Sequence, residues 1–181
     1  MRQNVELKAF DRDPARTLER LFRLGAVDAG LLVQRDTYFK IPHGRLKLRE
    51  EEGRPAILIR YERSDDPEPR TSNYELTEVA DADAIRNELA ESFGIRVVVE
   101  KRRRLLLWER TVRVHLDDVQ QLGCFIEIEA VAAQGSSLER EFEQVDRILA
   151  ALGIADIDIL AVGYADLLER ADGRNGSSQR T

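Results

Sequence analysis

The segment Cys124–Val131 alternates between apolar and acidic residues. In a β-strand, residues two apart point to the same face and lie roughly 6.5–7 Å from each other, given about 3.3 Å of rise per residue. Glu127 and Glu129 therefore share one face, and Ile126 and Ile128 share the other. This pattern predicts a sheet with an apolar outer face and a second face lined with charge.

Most of the other predicted strands repeat the alternation, with basic residues on the polar face. In Gly44–Glu50, for example, Leu46 and Leu48 alternate with Arg45, Lys47 and Arg49. The pattern predicts about eight strands, over residues 4–10, 32–41, 44–50, 56–63, 71–79, 96–108, 111–116 and 124–131. Helices are predicted after Asp13 and over residues 81–93, 136–152 and 164–169, and a loop is predicted over residues 64–70.

Size and charge limit the classes of protein to which the chain can belong. A chain of 181 residues suits one domain, predicted over residues 1–170, and residues 171–181 are expected to be a disordered tail. The net charge of −6 argues against nucleic-acid binding, which needs a basic field. No apolar run approaches the roughly 20 residues of a membrane span, and no signal peptide opens the sequence. We therefore expect a cytoplasmic protein without a membrane partner.

The charged strand faces could meet water in an open antiparallel sheet, or they could line the inside of a closed barrel. Carboxylates gather on the first, seventh and eighth predicted strands, and cations gather on the third, fourth and sixth. Solvated faces need no such sorting, whereas a lumen that holds a phosphate chain and its metal does. The predicted fold is therefore α+β, an eight-stranded antiparallel β-barrel with helices packed on the outside.

Six short motifs occur in order along the chain: NVELK, RDTYF, GRLKLRE, VEKRRR, LDDVQQLG and FIEIE. Together they resemble the CYTH family of triphosphate tunnel metalloenzymes, which holds class IV adenylate cyclases and thiamine triphosphatases. The resemblance spans roughly residues 4–168, and it implies a tunnel that binds a triphosphate with Mg²⁺ or Mn²⁺. The family signature opens as Glu-x-Glu-x-Lys. This chain has Asn4 at the first position, so Glu6 and Lys8 carry over.

The resemblance and the strand parity together nominate the site residues. Hard divalent cations prefer oxygen ligands, and the expected metal ligands are Glu6, Asp117, Glu127 and Glu129. Cations grip phosphate oxygens, and the expected substrate-binding residues are Lys8, Lys47, Arg49, Tyr61, Arg63, Lys101, Arg103 and Arg113. Lys8 and Tyr38 are the expected catalytic residues.

Several assignments stay open at the level of sequence. In the fourth strand either Tyr61 and Arg63 or the two alternate residues point inward, and the first choice is favoured because an inward Glu62 would repel an anion. Asp36 suits a tunnel position or a strand end equally, as does Tyr38. Tyr164 suits a tunnel position or a packing position. His115 shares a face with Arg113 and Asp117, but a metal role is the minority interpretation.

The sequence thus predicts a metal-dependent enzyme that acts on a triphosphate such as ATP, thiamine triphosphate or tripolyphosphate. Attack by water on the γ-phosphate would make it a triphosphatase. Attack by the ribose 3′-hydroxyl on the α-phosphate would make it an adenylate cyclase that releases pyrophosphate, and the motifs are more similar to the class IV cyclase branch. Two alternatives are a non-catalytic nucleotide- or polyphosphate-binding module and an interaction domain. Monomer and homodimer both stay open.

Overall fold

The chain folds into a closed antiparallel β-barrel of eight strands. The computed structural model describes residues 2–63 and 68–177, apart from the side chains of residues 63 and 173–177. The strands are β1 (Arg2–Phe10), β2 (Val27–Phe39), β3 (Arg45–Glu51), β4 (Ala56–Arg63), β5 (Arg70–Val79), β6 (Ile95–Trp108), β7 (Val112–Val119) and β8 (Gly123–Val131). Around the barrel they follow the order β1-β5-β4-β3-β2-β6-β7-β8, and β8 pairs with β1 to close it. The predicted fold is confirmed.

Four helices lie outside the barrel in the described part of the chain: α1 (Pro14–Arg23), α2 (Ala82–Phe93), α3 (Glu139–Leu152) and α4 (Tyr164–Ser177). The side chain of Asp13 caps α1 by accepting from the backbone N–H of Arg16, and Pro14 occupies the first turn, where its missing donor costs nothing. None of these helices is long and apolar enough to cross a membrane.

The apolar faces of β1, β3 and β8 pack against helices, and this arrangement turns the charged faces of these strands inward. Ile126 and Ile128 are buried in a cluster that includes Val145 and Ile148 of α3. On the other side of the barrel, Leu48 of β3 packs in a cluster with residues of α2. Burying one such side chain stabilises the fold by about 1.5–3 kcal/mol. A one-residue shift in register would expose this face, so packing fixes which side chains enter the lumen.

The largest differences from the predicted element boundaries are at the start of β2 and the end of α4. Strand β2 begins at Val27, earlier than predicted, because a register shift between Asp28 and Gly30 carries the strand past a glycine with a φ of +108°. Helix α4 continues to Ser177, beyond the predicted end at residue 169, since each residue added to a formed helix gains a hydrogen bond. The domain boundary at residue 170 stays a prediction, and residues 178–181 lie outside the described residues.

The predicted loop over residues 64–70 also needs a correction, because its last residue belongs to a strand. Residues 64–67 lie outside the described residues, but Arg70 is the first residue of β5 and pairs with Glu6 of β1. The Arg70 guanidinium is buried, and it donates to the backbone carbonyls of Leu160 and Ala161 at 3.3 and 3.0 Å. These partners lie about 90 residues away in the sequence, so local composition could not reveal the position of Arg70.

Candidate active site

All eight strands contribute inward side chains to one cavity of about 450 Å³, which we call the lumen. Because strand faces alternate with period two, the residues that the sequence placed on charged faces converge there. The lumen brings together these nominated residues: Glu6, Lys8, Tyr38, Lys47, Arg49, Tyr61, Lys101, Arg103, Arg113, Glu127 and Glu129.

Two nominated residues need separate comment. Arg63 lies in β4 in the same parity as Tyr61, but its side chain is outside the described structure and its role stays a prediction. Asp117 is buried, and Arg103 grips its carboxylate with Nε at 2.7 Å and Nη2 at 2.6 Å. In this structure Asp117 therefore positions a cation, and its assignment as a metal ligand stays a prediction.

Three cations of the lumen converge on Asp36, a residue that the sequence left open between two positions. Arg49 donates to both carboxylate oxygens at 2.7 and 2.8 Å, and Lys47 and Lys101 donate to Oδ2 at 3.0 and 2.7 Å. Burial opposes the charge of Asp36, but these cations outweigh it and hold the pKa of the carboxyl well below its ordinary value. Asp36 is thus an ionised counter-charge to these three cations.

A second network surrounds Glu127. Lys8 lies 3.0 Å from Oε1, and Arg103 donates to Oε2 at 2.6 Å. Lys8 also lies over the ring of Tyr164, 3.7 Å from its centroid, and the Tyr164 hydroxyl donates to Asp117 at 2.7 Å. Burial raises the pKa of Tyr164 well above its ordinary value, so the phenol stays a donor. The sequence could not separate a tunnel position from a packing position for Tyr164, and the structure gives it both.

Carboxylates gather beside these cations. His115 Nδ1 lies 3.7 Å from Glu127 Oε2 and 3.9 Å from Glu129 Oε1. The ligand atoms of these three residues all lie within 4.8 Å of one another. Glu6 pairs with Glu129 across β1 and β8. Asn4, at the altered signature position, is buried, and its Oδ1 accepts no hydrogen bond from the described residues. Carboxylate and carboxamide oxygens are the ligands that hard divalent cations prefer, so this set fits such an ion.

One end of the lumen, the closed end, is crossed by residues 160–164. The backbone N–H of Leu160 donates to the carbonyl of Lys8 at 2.8 Å, and the Arg70 guanidinium donates to two carbonyls of the segment. The Tyr164 side chain is 4 % exposed and faces the lumen. The segment and the Tyr164 side chain therefore cover this end of the lumen.

The opposite end of the lumen is lined by aliphatic side chains, and we call it the aliphatic end. Leu32, Ile57, Leu76 and Leu105 lie there because they occupy the opposite ends of their strands from the residues that meet the closed end. Leu76 is 41 % exposed, in contrast to the buried Tyr164. An elongated anion therefore has access to the cations from the aliphatic end.

The buried ammonium of Lys101 has an unusual proton affinity. Burial lowers its pKa to about 7, against the attraction of Asp36 and with further lowering by Arg49. A bound polyanion would raise this pKa again, so binding would take up a proton above pH 7. Affinity for a triphosphate should therefore be highest below pH 7 and fall as the pH rises beyond it.

We expect tripolyphosphate binding at pH 8 to take up more protons in the wild type than in Lys101→Met. Calorimetry in buffers of different ionisation enthalpy measures this difference, and the titration of the ligand itself is common to both proteins. Lys40→Met removes an exposed ammonium outside the lumen and should match the wild type. Equal proton uptake in all three proteins would show that Lys101 is protonated before the ligand binds.

Sequence reasoning missed or underweighted several lumen residues. Besides Asp36 and His115, the lumen contains Gln34, Glu51 and Tyr74, and none of these three was nominated. Parity offered a signal for two of them, because Gln34 shares the face of Tyr38 and Glu51 shares the face of Arg49. The preferred register of β4 is supported by Tyr61, which lines the lumen, and by the exposed Arg60 and Glu62.

Comparisons of sequence and of structure with known proteins both match about nine tenths of the chain. A protein from Methanocaldococcus jannaschii named "Putative adenylate cyclase" is 24 % identical over 171 residues, which cover 90 % of this chain and 97 % of the relative. A solved structure from Pyrococcus horikoshii superposes with a TM-score of 0.79 at 24 % identity, and the match covers 91 % of this chain and 98 % of that one.

A more distant solved structure comes from Hippeastrum, and its description names a putative adenylyl cyclase with a dominant triphosphatase activity. It superposes with a TM-score of 0.59 at 16 % identity, and the match covers 96 % of each chain. At these identities the structures establish the likeness of fold. The model of the CYTH domain matches residues 2–164. The chain therefore belongs to the CYTH family.

Proposed function

We propose that this chain is a divalent-metal-dependent hydrolase of organic triphosphates. The observation that carries the proposal is the convergence of a cationic wall and a carboxylate cluster in one lumen. Lys47, Arg49, Lys101 and Arg103 form the wall, and Glu129 belongs to the cluster that faces it. A solvated sheet or an interaction domain has no need to bury both sets around a shared cavity.

The cations are held ready for phosphate oxygens. Asp36 fixes Arg49, and Asp117 fixes Arg103, each through two hydrogen bonds to one guanidinium. A planar guanidinium so oriented loses little freedom when it contacts an anion. These buried charges would also act at higher strength than in water, because the lumen has a low dielectric constant.

The two ends of the lumen suggest how the substrate is oriented. A triphosphate that enters from the aliphatic end keeps its organic group near Leu32 and Leu105, and its terminal phosphate points to the closed end. Tyr38 lies toward that end, and Lys47 donates to its hydroxyl oxygen at 3.4 Å. An ammonium stabilises negative charge on the phenolic oxygen, so Tyr38, once it has released its own proton to solvent, is our candidate for the base that takes a proton from the attacking water.

In the proposed reaction, water attacks the γ-phosphorus and the bond to the bridging oxygen breaks, which yields orthophosphate and the organic diphosphate. Lys8, held by Glu127 at 3.0 Å, would neutralise charge on the terminal phosphate. A divalent cation such as Mg²⁺ or Mn²⁺, held by Glu6, Glu127 and Glu129, would polarise the phosphate oxygens when bound. Catalysis would then rest on positioning and electrostatic stabilisation.

Adenylate cyclase activity is the second candidate, because the curated relative from Methanocaldococcus jannaschii carries that name. The ribose 3′-hydroxyl would attack the α-phosphorus, and pyrophosphate would leave. In the orientation proposed above, the terminal phosphate points toward Tyr38 and the α-phosphate lies on the side of the aliphatic end. The geometry therefore favours hydrolysis over cyclisation.

Product analysis separates the candidates. The full chain is incubated with ATP, thiamine triphosphate or tripolyphosphate and with Mg²⁺ or Mn²⁺, and a chelator serves as the control. Orthophosphate and the organic diphosphate support the proposal, whereas a cyclic nucleotide and pyrophosphate support the second candidate. Binding without product indicates a non-catalytic module, and neither binding nor product indicates an interaction domain.

Arg49→Ala is expected to weaken tripolyphosphate binding by about 1.5–3 kcal/mol, the range for hydrogen bonds to charged groups. That is roughly a ten- to a hundredfold loss of affinity, measured by calorimetric titration. Arg102→Ala is the matched control, because Arg102 is exposed on the outer face of β6, next to Arg103. Equal affinities for both variants and the wild type would contradict a phosphate site in the lumen.

A further inference from the structure

We propose that His115 is a nitrogen ligand of the divalent cation, so that the site prefers a first-row transition ion, with Mn²⁺ and Co²⁺ as probes, over Mg²⁺. The inference deepens the proposed function and rests on it for its role in catalysis, because the same cation would contact the phosphates. The binding of the metal itself can be measured without any triphosphate.

The geometry suits an ion that His115 shares with Glu127 and an ion that it shares with Glu129, and the three ligand atoms lie within 4.8 Å of one another. Metal–nitrogen and metal–oxygen bonds of such ions are about 2.0–2.2 Å long, so two ligand atoms of one ion lie at most about 4.3 Å apart. Nδ1 of His115 is 3.7 Å from Glu127 Oε2 and 3.9 Å from Glu129 Oε1. Both distances are too long for hydrogen bonds and fall within the span of a shared ion.

The imidazole nitrogen is the independent sign of a missing ligand. His115 is 5 % exposed, and its Nδ1 has no hydrogen-bond partner among the described residues. Buried polar atoms are nearly always paired, and an unpaired one needs an explanation. Nδ1 faces Glu127, which already pairs with Lys8 and Arg103, and Glu129, whose charge a cation would balance. A bound cation would satisfy the nitrogen and reduce the repulsion between Glu127 and Glu129 at the same time.

The donor set indicates the class of metal. Mg²⁺ binds oxygen ligands and keeps several waters, whereas imidazole suits transition ions of intermediate softness. In this chain the first signature position is Asn4, which offers a neutral oxygen, and β7 adds a nitrogen from His115. Asn4 thus replaces a carboxylate of the signature by a neutral oxygen, and His115 places a nitrogen opposite the remaining carboxylates. This change shifts the preference from Mg²⁺ toward transition ions.

The test uses the full metal-free chain with each metal alone. Calorimetry with Co²⁺, Mn²⁺ and Mg²⁺ is compared between the wild type, His115→Gln and His43→Gln. His43 is the other histidine of the sequence and is exposed, so its variant is the matched control. We expect His115→Gln to lose about tenfold or more in affinity for Co²⁺ and Mn²⁺, and to change little for Mg²⁺. His43→Gln should match the wild type.

A spectroscopic measurement keeps the proposal falsifiable even if His115→Gln fails to fold. Electron spin-echo spectra of Mn²⁺ bound to the wild-type protein should show coupling to an imidazole nitrogen. The coupling should persist in His43→Gln and vanish in His115→Gln. A wild-type spectrum without nitrogen coupling overturns the proposal, and so does equal Co²⁺ affinity in the wild type and a folded His115→Gln. Because no triphosphate is present, a failure here is distinct from a failure to bind or hydrolyse a triphosphate.

Discussion

Replacing Asp36 by Asn should lower the free energy of unfolding of the ligand-free protein by about 3–5 kcal/mol. The Asp36 side chain is 1 % exposed and pairs with Lys47, Arg49 and Lys101. Below about pH 7, where Lys101 carries its charge beside Asp36, the substitution leaves three cations facing one another in the lumen with no counter-charge between them. Their desolvation cost remains, and the attraction that offset it is gone. Chemical denaturation of the metal-free protein measures the difference.

The matched control is Asp118→Asn, since Asp118 is exposed on the outer face of β7. A surface substitution of this kind should change the free energy of unfolding by no more than about 0.5 kcal/mol. If Asp36→Asn proved as stable as the wild type, the cations would have to be neutral or solvated in the ligand-free protein. The assignment of Asp36 as their counter-charge would then be wrong.

The same substitution should couple to ligand binding. Under the proposed function the cations that pair with Asp36 bind phosphate, so Asp36 would preserve the ligand-free fold and also compete with the ligand for these cations. Tripolyphosphate should therefore raise the melting temperature of Asp36→Asn by more than that of the wild type, because a ligand that binds only the native state stabilises it by mass action. A smaller rise in the variant would indicate that Asp36 contacts the ligand favourably.

The contribution of Asp36 also depends on pH in a defined direction. Its cationic neighbours overcome burial and hold the pKa of Asp36 well below the value of about 3.9 for an unfolded Asp. The stabilisation is therefore fully present above pH 4 and is lost as the pH falls below that value. The difference in unfolding free energy between the wild type and Asp36→Asn should shrink over the same range.

The period of two in the strands, together with the sorting of carboxylates and cations among them, was enough to predict the barrel and most of the lumen. In Gly44–Glu50, Leu46 and Leu48 had to face the helices, so Lys47 and Arg49 had to face inward. The same parity predicted the inward face of β8. These predictions succeeded because burial of the apolar face fixes which side chains of a strand point inward. The apolar face is set by the alternation of neighbouring residues, which the sequence shows directly.

Contacts between strands that lie far apart in the sequence could not be predicted from it. Parity could not show that Asp36 of β2 meets Lys101 of β6, because it does not reveal that β2 pairs with β6 in a register that sets Lys101 opposite Gln34. Cations that line one lumen would repel one another if no anion lay between them. In the structure Asp36 and Asp117 pair with them, so removing an arginine should now destabilise the ligand-free protein. The buried position of Arg70 was missed for the same reason, since the carbonyls to which it donates belong to Leu160 and Ala161, near the other end of the chain.

Glu129→Gln should reduce metal-dependent turnover of a triphosphate by roughly 10²- to 10³-fold and leave the fold intact. A catalytic cation contributes several kcal/mol of transition-state stabilisation, and each 1.36 kcal/mol corresponds to about tenfold in rate. Glu129 is the sharper target, because Glu127 also pairs with Lys8 and Arg103 and its loss would leave two buried cations without a partner. Loss of one of two neighbouring carboxylates should, by contrast, relieve repulsion in the metal-free protein.

The measurement is initial rate over a titration of Mg²⁺ and Mn²⁺, with calorimetry of the metals in parallel. Glu75→Gln is the matched control, because Glu75 follows the lumen residue Tyr74 in β5 and is itself exposed. A variant that recovers its rate at high metal concentration has lost affinity, whereas one that stays slow has lost the position of the ion. Full activity of Glu129→Gln at every metal concentration would exclude this carboxylate as a ligand. The cation would then have to act through Glu6 and Glu127 or have no part in the reaction.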